Sequence, residues 1–265
     1  MLLAFTFAVA ALAASAPPGL PPCAPPVEIH DLAIMRVEQN GVLVSTDGRA
    51  LVLEGIQLPA GGRDHAPQNF ADQAIAALSD LADGHLVTVT AQPPKQDRYG
   101  RVRGQLFVTD DAPVWLQQVL LQRGLARVAV EPSRQECVSE LYAAEADARA
   151  KRLGLWNDPA YAIRSAAHIA KSDLGTFQIV QGKVANASVK SRAYLNFGGD
   201  WRNDFTATIA PDDMKLFRAA NIDPASYAGK TIRVRGVVEW FHGPEIQIES
   251  PADIEIVPDL RPAQR

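Results

Sequence analysis

Residues 33–56 read AIMRVEQNGVLVSTDGRALVLEGI. Ala-Ile-Met-Arg-Val-Glu, Gly-Val-Leu-Val-Ser and Ala-Leu-Val-Leu-Glu-Gly-Ile are short β-rich runs separated by turn residues, the last two by Thr46-Asp47-Gly48-Arg49. Short runs of branched residues punctuated this way predict three strands of a meander.

Working outward, residues 67–82 place Phe70, Ala74, Leu78 and Leu81 at three- and four-residue spacings, an amphipathic helix opened by Pro67 and closed by Gly84. Strands follow at 85–91 and 102–109, bringing the count to five, and helices at 113–123 and 135–152 stop before Gly124 and Gly154. From about residue 175 the strand pattern restarts, with one helix near 211–221, which predicts a second small β-barrel or open Greek-key sheet. Both halves show five strands with one interposed helix, without a close sequence repeat. The expected class is α+β, mainly β. The expected division is a leader at 1–16, a Pro-rich tether at 17–30, a first domain at 31–158, a linker at 159–174, a second domain at 175–258 and a tail at 259–265.

The leader, MLLAFTFAVAALAASA, is an uncharged apolar run ending in small residues, the layout of a secretory signal peptide cleaved after Ala13 or Ala16. A retained anchor is the alternative, although the run is short against the roughly 20 residues of a membrane span. Export to the periplasm or medium is the expectation, with no transmembrane segment in the mature protein. Cys23 and Cys137 are the two cysteines, so an exported chain predicts one disulfide between them; the other reading is two unrelated thiols. The net charge of −4 excludes a global cationic field for nucleic acid, so any such contact needs a local patch. No His/Cys/carboxylate spacing marks a zinc site, and no Gly-x-Ser-x-Gly elbow marks a serine hydrolase.

Four ordered segments carry a resemblance: Leu53-Glu54-Gly55-Ile56-Gln57-Leu58-Pro59, Asp97-Arg98-Tyr99-Gly100-Arg101, Arg123-Gly124-Leu125-Ala126-Arg127-Val128, and Glu145 through Trp156. Together they resemble the staphylococcal-nuclease-like (thermonuclease) family. The resemblance implies an OB-type five-stranded barrel with three helices, and phosphodiester hydrolysis by a water activated beside Ca²⁺. Such chemistry needs anionic oxygens for the hard cation, a carboxylate to activate the water and arginines to hold the phosphate.

Carried across by position, the family's metal-binding aspartates fall on Asn40 and Gln57, its first phosphate arginine on Val52 and its general-base glutamate on Ala60. The second phosphate arginine is retained as Arg101, with Tyr99 before it. No catalytic residue is therefore assigned, no metal ligand is expected, and the cofactor expectation is none. The alternative is an active Ca²⁺-dependent nuclease with a site rebuilt from loop carboxylates such as Asp47 and Asp64, and a third reading is an envelope interaction protein without a nucleic-acid role.

Arg98, Arg101 and Arg103 alternate beside Tyr99 and predict a small cationic patch for single-stranded nucleic acid or another polyanion, the other reading of Arg101 being a structural tie. The second domain resembles, more weakly, nucleic-acid-binding OB modules. Tyr194, Phe197, Trp201, Phe205, Trp240 and Phe241 with Arg192, Arg202, Arg233 and Arg235 form its candidate stacking platform, against the alternative of a structural partner domain. The sequence leaves the oligomeric state open.

Overall fold

The computed structural model describes residues 19–200 and 202–258; the expected leader, the tail and Trp201 lie outside the described residues. The meander forms as β1 (Val27–Val37), β2 (Leu43–Ser45) and β3 (Ala50–Leu53), with β1 reaching back into the stretch that prolines mark as a tether. After α1 (Asn69–Ala82) come β4 (Leu86–Thr90) and β5 (Val102–Val108). β1 pairs antiparallel with β2 and β4, and β4 with β5. A parallel pairing of β3 with β5, Val52 opposite Arg103, closes the barrel. Its interior is filled by Ile34, Leu43, Leu51, Val87, Val89 and Leu106, which alternate inward along their strands.

Helix α1 buries Ala71, Ala74, Leu78 and Ala82 against the barrel. The helix expected at 113–123 starts later, as α2 (Leu116–Gln122), because Val114 and Trp115 are drawn into the sheet beside β5. Trp115 stacks on Phe107, 5.9 Å between centroids, and donates its indole N–H to Gln105 at 3.1 Å, so its best partners lie on β5. Helix α3 (Val138–Ala150) follows. The glycines that end α2 and α3 are tied to each other: a Cβ on Gly124 would lie 2.2 Å from the Leu153 oxygen, and one on Gly154 would lie 2.3 Å from the Gly124 oxygen. Both have positive φ, and the Leu155 N–H donates to the Gly124 carbonyl at 2.9 Å, so these two backbones pack where no side chain fits.

The second domain comprises β6 (Phe177–Lys183), β7 (Asn186–Val189), β8 (Ala193–Asn196), β9 (Thr206–Ile209), α4 (Met214–Ala219), β10 (Thr231–Trp240) and β11 (Pro244–Ile248). β6 and β7 act as one bent strand: at the bend the Val184 N–H reaches Lys230 on one side while the Ala185 N–H reaches Asn196 on the other. The sheet then runs β7–β8–β9, continues with β11 parallel to β9, and returns through β10 to β6. This curled half-barrel repeats the connectivity of the first barrel, down to the parallel closure and the helix between third and fourth strands. Its own core gathers Val180, Leu195, Phe205, Phe217, Ile232 and Ile246.

The two units meet over a buried ionic cluster. Arg235 of β10 is 3% exposed and Glu145 of α3 is fully buried. The Arg235 guanidinium contacts Glu145 at 3.0 Å, Glu255 at 2.5 Å and the Val128 carbonyl at 2.8 Å, and lies 4.3 Å from the Tyr142 ring centre. Burial alone would disfavour its charge, but Glu145 outweighs this and holds its pKa above the ordinary value. Glu145 also accepts from the Val128 N–H at 2.9 Å and from Arg149 at 3.1 Å. The expected disulfide is present, Cys23 to Cys137, and pins the proline-rich entry to the start of α3.

Glu145→Gln should lower the free energy of unfolding by about 3 kcal/mol in urea titrations, because the buried Arg235 keeps Glu255 but loses the other of its two countercharges, and Arg149 loses one of its own. Glu145→Gln/Arg235→Met should recover much of that loss; a double variant as unstable as the single one would contradict it. Cys23→Ser/Cys137→Ser should cost about 2–4 kcal/mol, measured the same way, with the barrel still folding on its intact core.

Candidate functional site

The four positions onto which the resemblance carries the family's metal, phosphate and base residues converge. Asn40 comes from the β1–β2 turn, Val52 from β3, Gln57 from a two-residue ribbon paired with Arg127, and Ala60 from the start of a 3₁₀ turn at Gly61–Asp64. All four line one pocket of about 510 Å³, together with Gln39, Leu58, Arg63, Asp64 and Gln68. Gly175, Phe177 and Val237 also line it, so part of its wall belongs to the second domain. The Asn40 side chain accepts from the Val42 N–H at 3.0 Å, a turn-forming role that an amide fills as an aspartate would.

Of the two carboxylates named for a rebuilt site, Asp64 lines the pocket with one oxygen tied to its neighbours, and Asp47 lies outside it. Asp64 is 5% exposed, and its Oδ2 accepts from the Ala60 N–H at 2.9 Å, from Arg127 at 3.1 Å and from the Tyr161 hydroxyl at 3.1 Å. Arg127, itself buried, also donates to the Phe177 carbonyl at 2.8 Å and lies against the Tyr161 and Phe177 rings. Burial is the main influence on Arg127 and lowers its pKa, with Asp64 opposing it. Asp47 lies in the β2–β3 turn, outside the pocket lining, where Arg49 at 2.6 Å and the Ser45 hydroxyl at 2.5 Å hold its carboxyl below the usual range. Among the described residues, the one group of three convergent His, Cys, Asp or Glu ligand atoms is Cys23, Cys137 and Glu140. Two of its members are disulfide sulfurs, which offer no thiolate.

The cationic patch forms in reduced shape. Tyr99 is 67% exposed, with two guanidinium groups near its ring, Arg98 at 4.8 Å and Arg101 at 5.1 Å from the ring centre, and Arg98 donates to its hydroxyl at 2.7 Å. The Asp97 carboxylate folds this loop by accepting from the N–H groups of Tyr99 at 2.8 Å and Arg101 at 3.0 Å, and it pairs with the Arg101 side chain at 2.6 Å. Arg103 departs from the expected shared face. It faces Val52 in parallel register, which puts its side chain on the side that also bears Glu54, two residues beyond Val52. There it pairs with Glu54 at 2.8 Å and with Glu131. Burial raises the pKa of Glu54, against the pull of Arg103 and Arg134. The strand begins only at Val102, so the alternation that grouped the three arginines does not extend back to Arg98 and Arg101.

The second-domain platform is also trimmed. Phe205 is core, Phe197 packs against it at 5.1 Å, Arg235 belongs to the buried cluster, and Arg233 is bound to Gln181 at 2.7 Å. Tyr194, Trp240 and Phe241 remain exposed. The sequence reading missed Arg63 and the second-domain wall of the pocket. Arg63 follows the motif positions by three residues and was open to detection; Phe177 and Val237 arrive from more than a hundred residues away, and no local pattern announces them.

No helix among the described residues is long and apolar enough to cross a membrane. Comparison with known proteins matches residues 50–158 to the family described as staphylococcal nuclease homologue. The chain is also 32% identical over 127 residues to a micrococcal nuclease of Shigella flexneri, an alignment covering 44% of this chain and 67% of that protein. The closed barrel, the motif residues gathered around one pocket and these two matches agree: the chain belongs to the staphylococcal nuclease-like family.

Proposed function

We propose that this chain is an exported, non-hydrolytic member of its family that binds single-stranded nucleic acid or a similar polyanion through Arg98, Tyr99 and Arg101. The observation that carries the loss of hydrolysis is the make-up of the motif positions in the pocket: Asn40, Val52, Gln57 and Ala60 supply no carboxylate and no guanidinium, the lining's Asp64 is tied through Oδ2 to Arg127 and Tyr161, and its Arg63 lies off the motif. Ca²⁺ binds charged oxygens far better than amides. One lost donor to a developing charge costs about 2.7–4 kcal/mol, and a lost general base about 10²–10⁴-fold. Removing both kinds of group and the metal site leaves no route to useful turnover. The intrusion of Phe177 and Val237 also narrows the space where a polynucleotide would cross. The disulfide supports export, since such bonds persist in oxidising compartments.

The Arg98–Tyr99–Arg101 loop retains what binding needs: an exposed ring for a base to stack on, flanked by two cations. With about two phosphates engaged, affinity for a single strand should fall with salt at a log–log slope of about 1.4.

DNA and RNA incubated with the protein and Ca²⁺ should remain uncut, and Ala60→Glu alone should not change this because positions 40 and 57 stay amides. Calcium-dependent fragments from either protein would refute the proposal. Arg101→Glu should weaken oligonucleotide binding at low salt several-fold while shifting stability by about 1 kcal/mol or less, as expected for a loop ion pair whose arginine is one-third exposed. A variant that unfolds would mark Arg101 as a structural tie to Asp97.

A further inference from the structure

A second groove, of about 590 Å³, lies on the outer face of the second domain, lined by none of the residues that line the nuclease-like pocket. Its floor is the outward row of the sheet: Ser188 of β7 lies opposite Tyr194 of β8, and Asn196 of β8 leads across Thr206 to Glu245 of β11. Tyr194, 43% exposed, forms one wall, and Phe241, 67% exposed, forms another from the β10–β11 hairpin. Folding gains nothing from leaving two aromatic rings in water, since burying each would contribute about 1.5–3 kcal/mol. The floor beneath them is built for hydrogen bonds. The Thr208 hydroxyl donates to Glu245 Oε1 at 2.8 Å and fixes that carboxylate, while Ser188 and Asn196 add a hydroxyl and an amide.

Charge decides among ligands. Glu245 is the charge on the floor itself, while Lys190 and His242 also line the groove and Arg192 reaches the Thr208 hydroxyl at 3.5 Å. A phosphodiester stacked between the rings would therefore meet a carboxylate where it needs a cation. A sugar ring meets no such penalty: its C–H face packs on an aromatic ring, and its hydroxyls donate to carboxylate and amide oxygens. We propose that this groove is a binding site for neutral, hydroxyl-rich glycan chains, with Tyr194 and Phe241 as stacking walls and Asn196, Ser188 and Glu245 reading the ring hydroxyls.

The test titrates the full chain with maltotetraose, cellotetraose, chitotetraose and a decathymidylate. Calorimetry reads the affinity, and the fluorescence of Trp240, 62% exposed and adjacent to Phe241, reports on the groove. At least one oligosaccharide should bind in preference to the oligonucleotide at this face. Tyr194→Ala and Phe241→Ala should each weaken it about tenfold or more, the scale of one lost stacking contact. Tyr194→Phe should retain binding, and Arg101→Glu in the first barrel should leave it unchanged. Thermal unfolding of the alanine variants should match the parent, because both side chains are exposed. The assignment is overturned if all three oligosaccharides fail to bind, if binding survives both alanine substitutions, or if those substitutions abolish oligonucleotide binding instead.

Discussion

The Arg235–Glu145 contact is the joint on which the two-domain arrangement depends. A guanidinium and a carboxylate, both withdrawn from water, are costly to bury and are tolerated only when each neutralises the other and their remaining hydrogen-bonding groups are met. Here those groups are met from both units: Val128 and Glu145 from the first, Glu255 and Arg235 from the second, with Arg149 and the Tyr142 ring closing the cluster. Its directionality is a property that apolar packing lacks. A greasy seam would tolerate sliding, whereas this arrangement satisfies its donors and acceptors in one geometry. That fixed geometry brings Phe177 and Val237 to the nuclease-like pocket.

Much of the fold was legible in the sequence because it rests on local periodicity. Strand alternation and helical spacing gave the barrel its five strands and placed α1, and the pairing of the cysteines followed from their number and context. The failures share a cause. Trp115 joined the sheet because its ring and N–H have partners on β5, and Arg103 turned toward Glu54 because that buried carboxylate lies on the same side, two residues beyond the Val52 it faces. Both choices are decided by residues distant in sequence, where periodicity carries no information. At the candidate site, the positions of Asn40, Val52, Gln57 and Ala60 were readable from the family motifs. The fate of Asp64 was not, since nothing near it in sequence names Arg127 or Tyr161 as its partners.

The second domain repeats the strand connectivity of the first without a close sequence repeat, and the comparison isolates what the topology requires. In both, a strand bends or bulges so that it can pair on two sides, a helix fills the gap between third and fourth strands, and a parallel pairing completes the curl. The outward faces are left open to differ. One barrel keeps an arginine-flanked tyrosine on a loop, and the other sets aromatic rings over a polar floor, so a single architecture offers two surfaces of unlike chemistry.

The disulfide spans 114 positions, and nearly the whole first barrel lies between its ends. On a chain delivered from its amino terminus, Cys23 arrives early and must wait for Cys137, which follows the last barrel strand and α2. The covalent bond can therefore close only after every strand of that barrel is present, and it does not require the residues of the second unit. Once this pair is oxidised, all five strands lie inside a covalent loop and can no longer be drawn out as a linear thread.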